Sequence, residues 1–369
     1  MIQLAFRNLI TERTRFAFSA AGIGFAVFLI TVLIGIYQGW NQKVGGYVDE
    51  VHADAWVARQ GTTDFINAAS ILPASMGDQL RATPGVAAVS PMLVRPMSFQ
   101  HDGKKVDTQL VGYDLSTGIG GPPKIVSGHG NPASGEIVID SALSRLSSIG
   151  IGDKLTSSGK TFTIVGISSG GNFAFTQASF VNIDAARDLL DMPGLVTFFT
   201  VSAKPGASLP QVQSSIEAAQ PGTSVFTTKQ FSSATRHRIL DNMLPIVELI
   251  VGLAFVVGIA ITSLTIYTAT IERAREFGVM KAIGFNNLDL YKLVLIQSML
   301  TGAVGFVFGV VLTLVVSRIG YRLVPQLIMD VRPMDVAFVL LITVVMAAGA
   351  AIVPARRVGA VDPAIAFKG

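Results

Sequence analysis

The chain has 369 residues, 50% of them hydrophobic and only 14% charged, with a mean hydropathy of +0.55; that balance excludes an ordinary water-soluble globule and points to a membrane-embedded protein. Cysteine is absent, which excludes a disulfide framework, a thiol nucleophile and a cysteine metal site. The net charge of +4 is modest and gives no footprint for nucleic acid.

In chain order, residues 1–42 read as a cytoplasmic lead-in and a first membrane span. The charge-free run 16–42 passes the requirement of about 20 apolar residues for ~30 Å of hydrocarbon. Arg13 and Arg15 precede it as in a signal peptide, but the apolar run exceeds the ~7–15 residues of a signal core and no A-x-A site follows at "YQGWNQKVGG". It is therefore expected to stay as a helix.

Residues 43–241 change character, with short alternating runs broken by Gly and Pro. "AVSPMLVRPMSF", "TQLVGYD", "GEIVID", "KTFTIVGI", "LVTFFTVSA" and "TSVFTT" predict strands. "PASMGDQLRATPGV", "IDAARDLLDMPG" and "SLPQVQSSIEAAQPG" predict helices closed by Pro or Gly. The reading is an α+β domain of two lobes, with a β-rich insertion at about 124–183. Residues 161–183 also lack charge, yet Ser168, Gly170, Gly171 and Asn172 disqualify them as a span. Helical stalks are expected at 40–52 and 231–249, the second carrying Pro245 as a potential kink.

Segment 154–170, "KLTSSGKTFTIVGISSG", imitates three catalytic motifs. Gly159-Lys160-Thr161 matches the end of a phosphate-binding loop, but Lys154 holds the place of its first glycine and a strand follows where a helix is required. Ser157 to Lys160 reads as S-x-x-K, and Gly166 to Gly170 as G-x-S-x-G around Ser168; a hairpin turn and a glycine loop explain both more simply. His52, His101, His129 and His237 lack metal-ligand spacing.

Residues 242–369 hold three further spans, in the charge-free runs 249–271, 293–317 and 336–355. Between the first two lies "IERAREFGVMKAIGFNN". Its Ala, Arg, Glu, Met and Lys favour a short helix, 271–284, ending near Gly284. Charges spread around its wheel suit a helix held between partners. No span carries a charge near its middle, which argues against a proton or ion path. Gly35-x-x-x-Gly39 and Gly305-x-x-x-Gly309 are candidates for a dimer seam. Four spans put both termini on one side, and Lys and Arg choose it. The segments 1–15, 272–292 and 356–369 carry ten in 50 residues, against eighteen in 224 on the other side. Termini and short helix are thus expected on the cytoplasmic side, with the ~200-residue domain outside.

"ERAREFGVMKAIGFNNLDLYKLVLIQS" closely resembles the segment between the second and third spans of MacB/FtsX-like (type VII) ABC transporter permeases. "LAFRNLITERTRFAFSAAGIGFAV" is similar to that family's lead-in, "PARRVGAVDPAIAFKG" to its ending, and "GEIVIDSALSRLSSIGIGDKL" to its outer domain. The resemblance implies a membrane α-helical fold of four transmembrane helices with an inserted two-lobed α+β extracytoplasmic domain. It further implies a place in a bacterial inner (plasma) membrane, a homodimer and a separate cytoplasmic ABC ATPase that binds ATP and Mg, leaving this chain without cofactor or catalysis of its own. Carried over by position, the ATPase-coupling surface comprises Arg275, Glu276, Phe277, Gly278, Met280, Lys281, Ala282 and Gly284, with Phe277 and Met280 as apolar anchors and Glu276 and Lys281 as charged pins. A hydrophobic or envelope substrate, moved by mechanotransmission with or without a periplasmic adaptor, is the leading expectation, favoured by the size of the outer domain. The alternative is a transmembrane regulator of an extracytoplasmic partner such as a cell-wall hydrolase. A hydrolase using Ser168 is the least supported reading.

Overall fold

The computed structural model describes residues 13–66, 70–173, 176–323 and 329–360. A long helix α1 (Arg13–Lys43) leads to the short α2 (Gly46–Glu50), then β1 (Ala55–Arg59), β2 (Leu72–Pro73), α3 (Met76–Arg81) and the hairpin β3 (Val86–His101) and β4 (Lys104–Tyr113). Next come β5 (Lys124–Gly128), β6 (Glu136–Asp140), α4 (Ser141–Ser147), β7 (Lys154–Ser157), β8 (Lys160–Ser169), β9 (Asn172–Phe173) and β10 (Thr176–Asn182). They are followed by α5 (Ile183–Leu189), β11 (Leu195–Val196), β12 (Phe198–Ala203), α6 (Leu209–Ala219) and β13 (Thr223–Thr227). The last elements are all helical: α7 (Thr228–Glu272), α8 (Ala274–Ala282), α9 (Asn287–Leu323) and α10 (Pro333–Gly359). The lead-in residues 4–12 and the ending 361–369, which share in the family resemblance, lie outside the described residues.

The described chain divides into two compact units, residues 40–242 and residues 13–39, 243–323 and 329–360. In the first, the main sheet runs β13-β1-β12-β3-β4-β10-β6-β8-β5. Successive side chains alternate between its faces. Val57, Leu110 and Phe199 join one core with Leu93 and Val181, while their neighbours Trp56, Val111 and Phe198 join a second, aromatic core with Tyr47, Phe65 and Phe231. Residues 124–183 supply β5 to β10, and β10 pairs in parallel with β4 from Gln109 and Ala178 to Tyr113 and Asn182. The two expected lobes therefore share one hydrogen-bonded sheet.

Both stalk helices are tied down within this unit. Gly45, at φ 81°, breaks the path between α1 and α2, a conformation costly for a residue with a Cβ. There the Ser232 hydroxyl donates to Asp49 at 2.7 Å, the Arg236 Nε donates to the Val44 carbonyl at 3.3 Å, and Val44 packs on Ile239. The helix α7 continues through Pro245 without interruption.

The catalytic lookalikes dissolve into sheet. Ser158 and Gly159 both have positive φ and link β7 to β8 with Ser157 opposite Lys160, the backbone of a tight hairpin. Ser168 is buried within β8, its hydroxyl donating to the Ile139 carbonyl at 3.4 Å, and the next element is the strand β9 where the elbow requires a helix.

One buried carboxylate makes the stability of this unit depend on pH. Asp140 caps α4, accepting from the Ala142 amide at 2.7 Å and from the Gly171 amide at 3.2 Å. Burial raises its pKa above the ordinary 3.8, against the pull of those amides and Arg145. Just above pH 3.8 the folded unit thus keeps a proton that the unfolded chain has released, so this group's contribution to stability falls as pH rises through the window. Asp140→Asn removes that dependence. The melting temperature of the variant minus that of the wild type should therefore decrease on acidification from pH 7 to pH 4, by about 2–4 °C for each kcal/mol. Tryptophan fluorescence reports it, because Trp40 and Trp56 are the chain's two tryptophans and both lie in this unit.

The other unit holds the four helices long and apolar enough to cross a membrane, within Arg13–Glu50, Thr228–Glu272, Asn287–Gly320 and Pro333–Gly359. Helix α1 packs on α9 through glycines. A Cβ on Gly305 would stand 2.9 Å from the Ala20 carbonyl oxygen, and one on Gly309 would stand 2.5 Å from that of Gly24. Gly302 faces α10, where a Cβ would stand 3.0 Å from the Ala347 Cβ. The Gly305/Gly309 pair, expected as a dimer seam, is thus spent inside the chain, where two backbones approach too closely for side chains.

Candidate functional site

Helix α8 follows α7 after a break at Arg273, whose φ and ψ of −96° and 14° leave the helical range. Its C-terminus is built by glycine. Gly284, at φ 105°, turns the chain so that the Phe285 amide donates to the Met280 carbonyl at 3.0 Å and the Gly284 amide to the Lys281 carbonyl at 3.1 Å, the paired bonds of a Schellman end. The expected helix and its glycine terminus are both present.

At about 100° per residue, nine residues offer two faces, and the structure uses them differently. Toward its own unit α8 turns Phe277, which is 3% exposed and clustered with Ile266, Leu290, Leu293, Val294 and Val358. Gly278 is buried beside it. Met280 packs half-buried on the same cluster, and the Lys281 ammonium donates to the Gly359 carbonyl of α10 at 2.7 Å. Two residues expected to face a partner are placed inward instead. Phe277, expected as an apolar anchor, is buried in its own protein's cluster, and Lys281, expected as a charged pin, is hydrogen-bonded to α10.

Outward, α8 presents Arg275, Glu276 and Ala282 together with Val279 at 45% and Ile283 at 70% exposure. The Glu276 carboxylate lies 3.8 Å from the Arg273 guanidinium. Phe285 and Leu288 extend the apolar surface past the exposed Gly284. Sequence reasoning overlooked Val279 and Ile283. The signal was available: they fall between Arg275 and Glu276 on the wheel, opposite the aromatic side chain that most needs burial.

The family model for the MacB-like periplasmic core domain matches residues 16–219, and that for the FtsX-like permease C-terminal matches residues 248–363. The chain belongs to the MacB/FtsX-like ABC transporter permeases. An uncharacterized ABC transporter permease of Mycobacterium tuberculosis is 23% identical to this permease over 100% of both chains. Another, from Methanocaldococcus jannaschii, is 26% identical over 47% of this chain and 46% of its own. The crystal structure of the periplasmic region of MacB from Actinobacillus actinomycetemcomitans covers 50% of this permease and 94% of that chain, at 10% identity and a TM-score of 0.40. Membership makes the permease a membrane protein with an extracytoplasmic domain, working with an ATPase in the general manner of ABC transporters.

Proposed function

We propose that this permease couples ATP hydrolysis by a separate cytoplasmic ATPase to movement of its outer domain, exporting or extracting a hydrophobic or envelope substrate. ATP and Mg belong to the partner, which docks on the outward face of α8. Arg275, Glu276, Val279, Ala282 and Ile283 form that surface, while Phe277, Gly278, Met280 and Lys281 hold the helix in place. The observation that carries the reading is this division. A helix fastened on one side and bare and mixed apolar-charged on the other suits a protein contact better than a solvated loop.

Two copies of the chain make the working unit, joined through α7. Leu249, Leu253, Val256 and Leu264 lie along one stripe of that helix and are at least 60% exposed, a face that a second copy would cover. A periplasmic adaptor could join the outer domain. The regulatory alternative uses the same motion on an extracytoplasmic hydrolase, and substrate accumulation set against hydrolase activation would separate the two.

In the orientation we propose, α8 and both termini lie on the cytoplasmic side of a bacterial inner membrane, a reading supported by the Lys and Arg bias of 272–292. The natural absence of cysteine permits a direct test. Ala282→Cys should react with a membrane-impermeant maleimide only after cells are opened, whereas Val126→Cys, exposed on β5, should react in cells whose plasma membrane is intact. The reverse pattern would remove the docking site from the ATPase's side of the membrane.

A further inference from the structure

We propose that the groove between α7 and α10 binds an amphiphilic organic cation, with its ammonium at Glu248 and its hydrocarbon tail along the two helices. The groove lies wholly within the membrane-spanning unit and has a volume of about 390 Å³, within the ~300–1,000 Å³ of small-molecule sites. Glu248, Gly252 and Phe255 stand about one turn apart down its α7 wall, with Val251 beside them. The other wall is Leu341, Ile342 and Val345 of α10.

Its floor is packed and its rim is open. Val251, Phe255 and Ile342 rest on the cluster of Ala254, Val339 and Met346, whereas Leu341 and Val345 stay exposed. Gly252 adds room, for a Cβ there would meet nothing within 4 Å. Ala254 clusters with Val339 and Met346, and Ile266 with Ala351 and Val358, so the two helices run in the same direction. Glu248 therefore stands level with the start of the charge-free run 336–355 of α10. From Glu248 to Phe255 the groove descends about 10 Å into that run, at 1.5 Å per residue. A carboxylate at the polar edge with hydrocarbon below it repeats the order of charge and tail in a cationic amphiphile.

Charge selects the occupant. Among the described residues Glu248 makes no hydrogen bond or ion pair, and Arg332, the basic residue at the start of α10, is engaged by Asp330 at 2.9 Å. An acidic side chain at the margin of a span is costly without a cation and marks a substrate site where it lines a cavity. A lipid acyl chain would satisfy the apolar walls and leave the carboxylate without a partner; an ammonium with a tail satisfies both. At about 100° per residue the groove lies on a different face of α7 from the stripe of Leu249, Leu253, Val256 and Leu264, so a second copy seated on that stripe leaves it accessible. Naming such a cation as cargo rests on the export reading above; its binding does not.

Native mass spectrometry of the full-length permease in nonionic detergent, titrated with dodecylammonium and with dodecyl sulfate, tests the proposal. The cation should bind in preference, and Glu248→Gln should weaken it about tenfold without weakening the sulfate or lowering the melting temperature. Glu248→Asp should recover part of the loss, Gly252→Leu should weaken both ligands by filling the groove, and Asp241→Asn, on α7 outside the groove, should change neither. Equal binding of the two amphiphiles, or full retention of the cation by Glu248→Gln, overturns the proposal and leaves the groove to bilayer chains. Displacement of the cation by phosphatidylethanolamine overturns it too, by assigning Glu248 to a lipid amine. Should cation binding follow Glu248 while membranes containing the permease and its ATPase show no ATP-driven accumulation of the cation, its export fails and the binding site stands.

Discussion

Ile283→Asp should release the ATPase subunit from the purified permease while leaving the permease's own abundance and melting temperature unchanged. Ile283 is 70% exposed, so a charge there costs the fold little, whereas at the centre of a docking surface it costs about 2 kcal/mol or more, some thirtyfold in affinity. Phe277→Asp should behave in the opposite way. It puts a carboxylate into the cluster of Ile266, Leu290 and Val358, and a loss of about 3–5 kcal/mol from the aromatic side chain alone should deplete the permease itself. Measuring copurified ATPase per mole of permease separates the two. Undiminished ATPase with Val279→Asp and Ile283→Asp combined would refute the outward-face assignment.

The second large effect lies at the glycine seam. Gly309→Leu must fit a side chain where even a Cβ stands 2.5 Å from the Gly24 carbonyl oxygen and 2.7 Å from the Val27 Cβ. Overpacking of this kind costs about 1–3 kcal/mol, and here the obstacle is backbone, which yields less readily than a side chain. The detergent-solubilised variant should melt several degrees below wild type. Gly252→Leu on α7 is the control, because a Cβ there meets nothing within 4 Å. Equal melting of the two variants would show that α1 and α9 are not held by this contact.

The spans were legible because their cause is local. Uninterrupted apolar sequence is what the bilayer demands, and all four runs became α1, α7, α9 and α10. The strand at Lys160–Ser169, whose buried and less buried residues alternate, was legible for the same reason, and those at Thr108 and Glu136 were legible as short apolar runs bounded by polar residues. The segment Lys124–Gly128 gave no such signal, being a five-residue edge strand exposed along most of its length. Sheet continuity was hidden as well, since the pairing of β4 with β10 joins residues far apart in sequence. At α8 the residues and the terminus could be read, but which face turns inward depends on Leu290, Val294 and Val358, contributed by two later helices. Within a helix of nine residues with charges all round, only the place of Phe277 opposite Val279 pointed to that choice.

The place of β1 has a consequence for biogenesis. It sits between β12 and β13, with Ala55 opposite both Val201 and Thr227, so the earliest strand to leave the export machinery waits for the last two before either edge is satisfied. Closure over so long a separation is slow, and until it happens β1 offers two bare edges to chaperones, proteases and other chains. A nascent chain stalled before residue 223 would therefore be recognised as unfinished outside the cell, whereas release of β13 is followed at once by α7, so completion of the outer sheet and entry of the second span come as nearly one event.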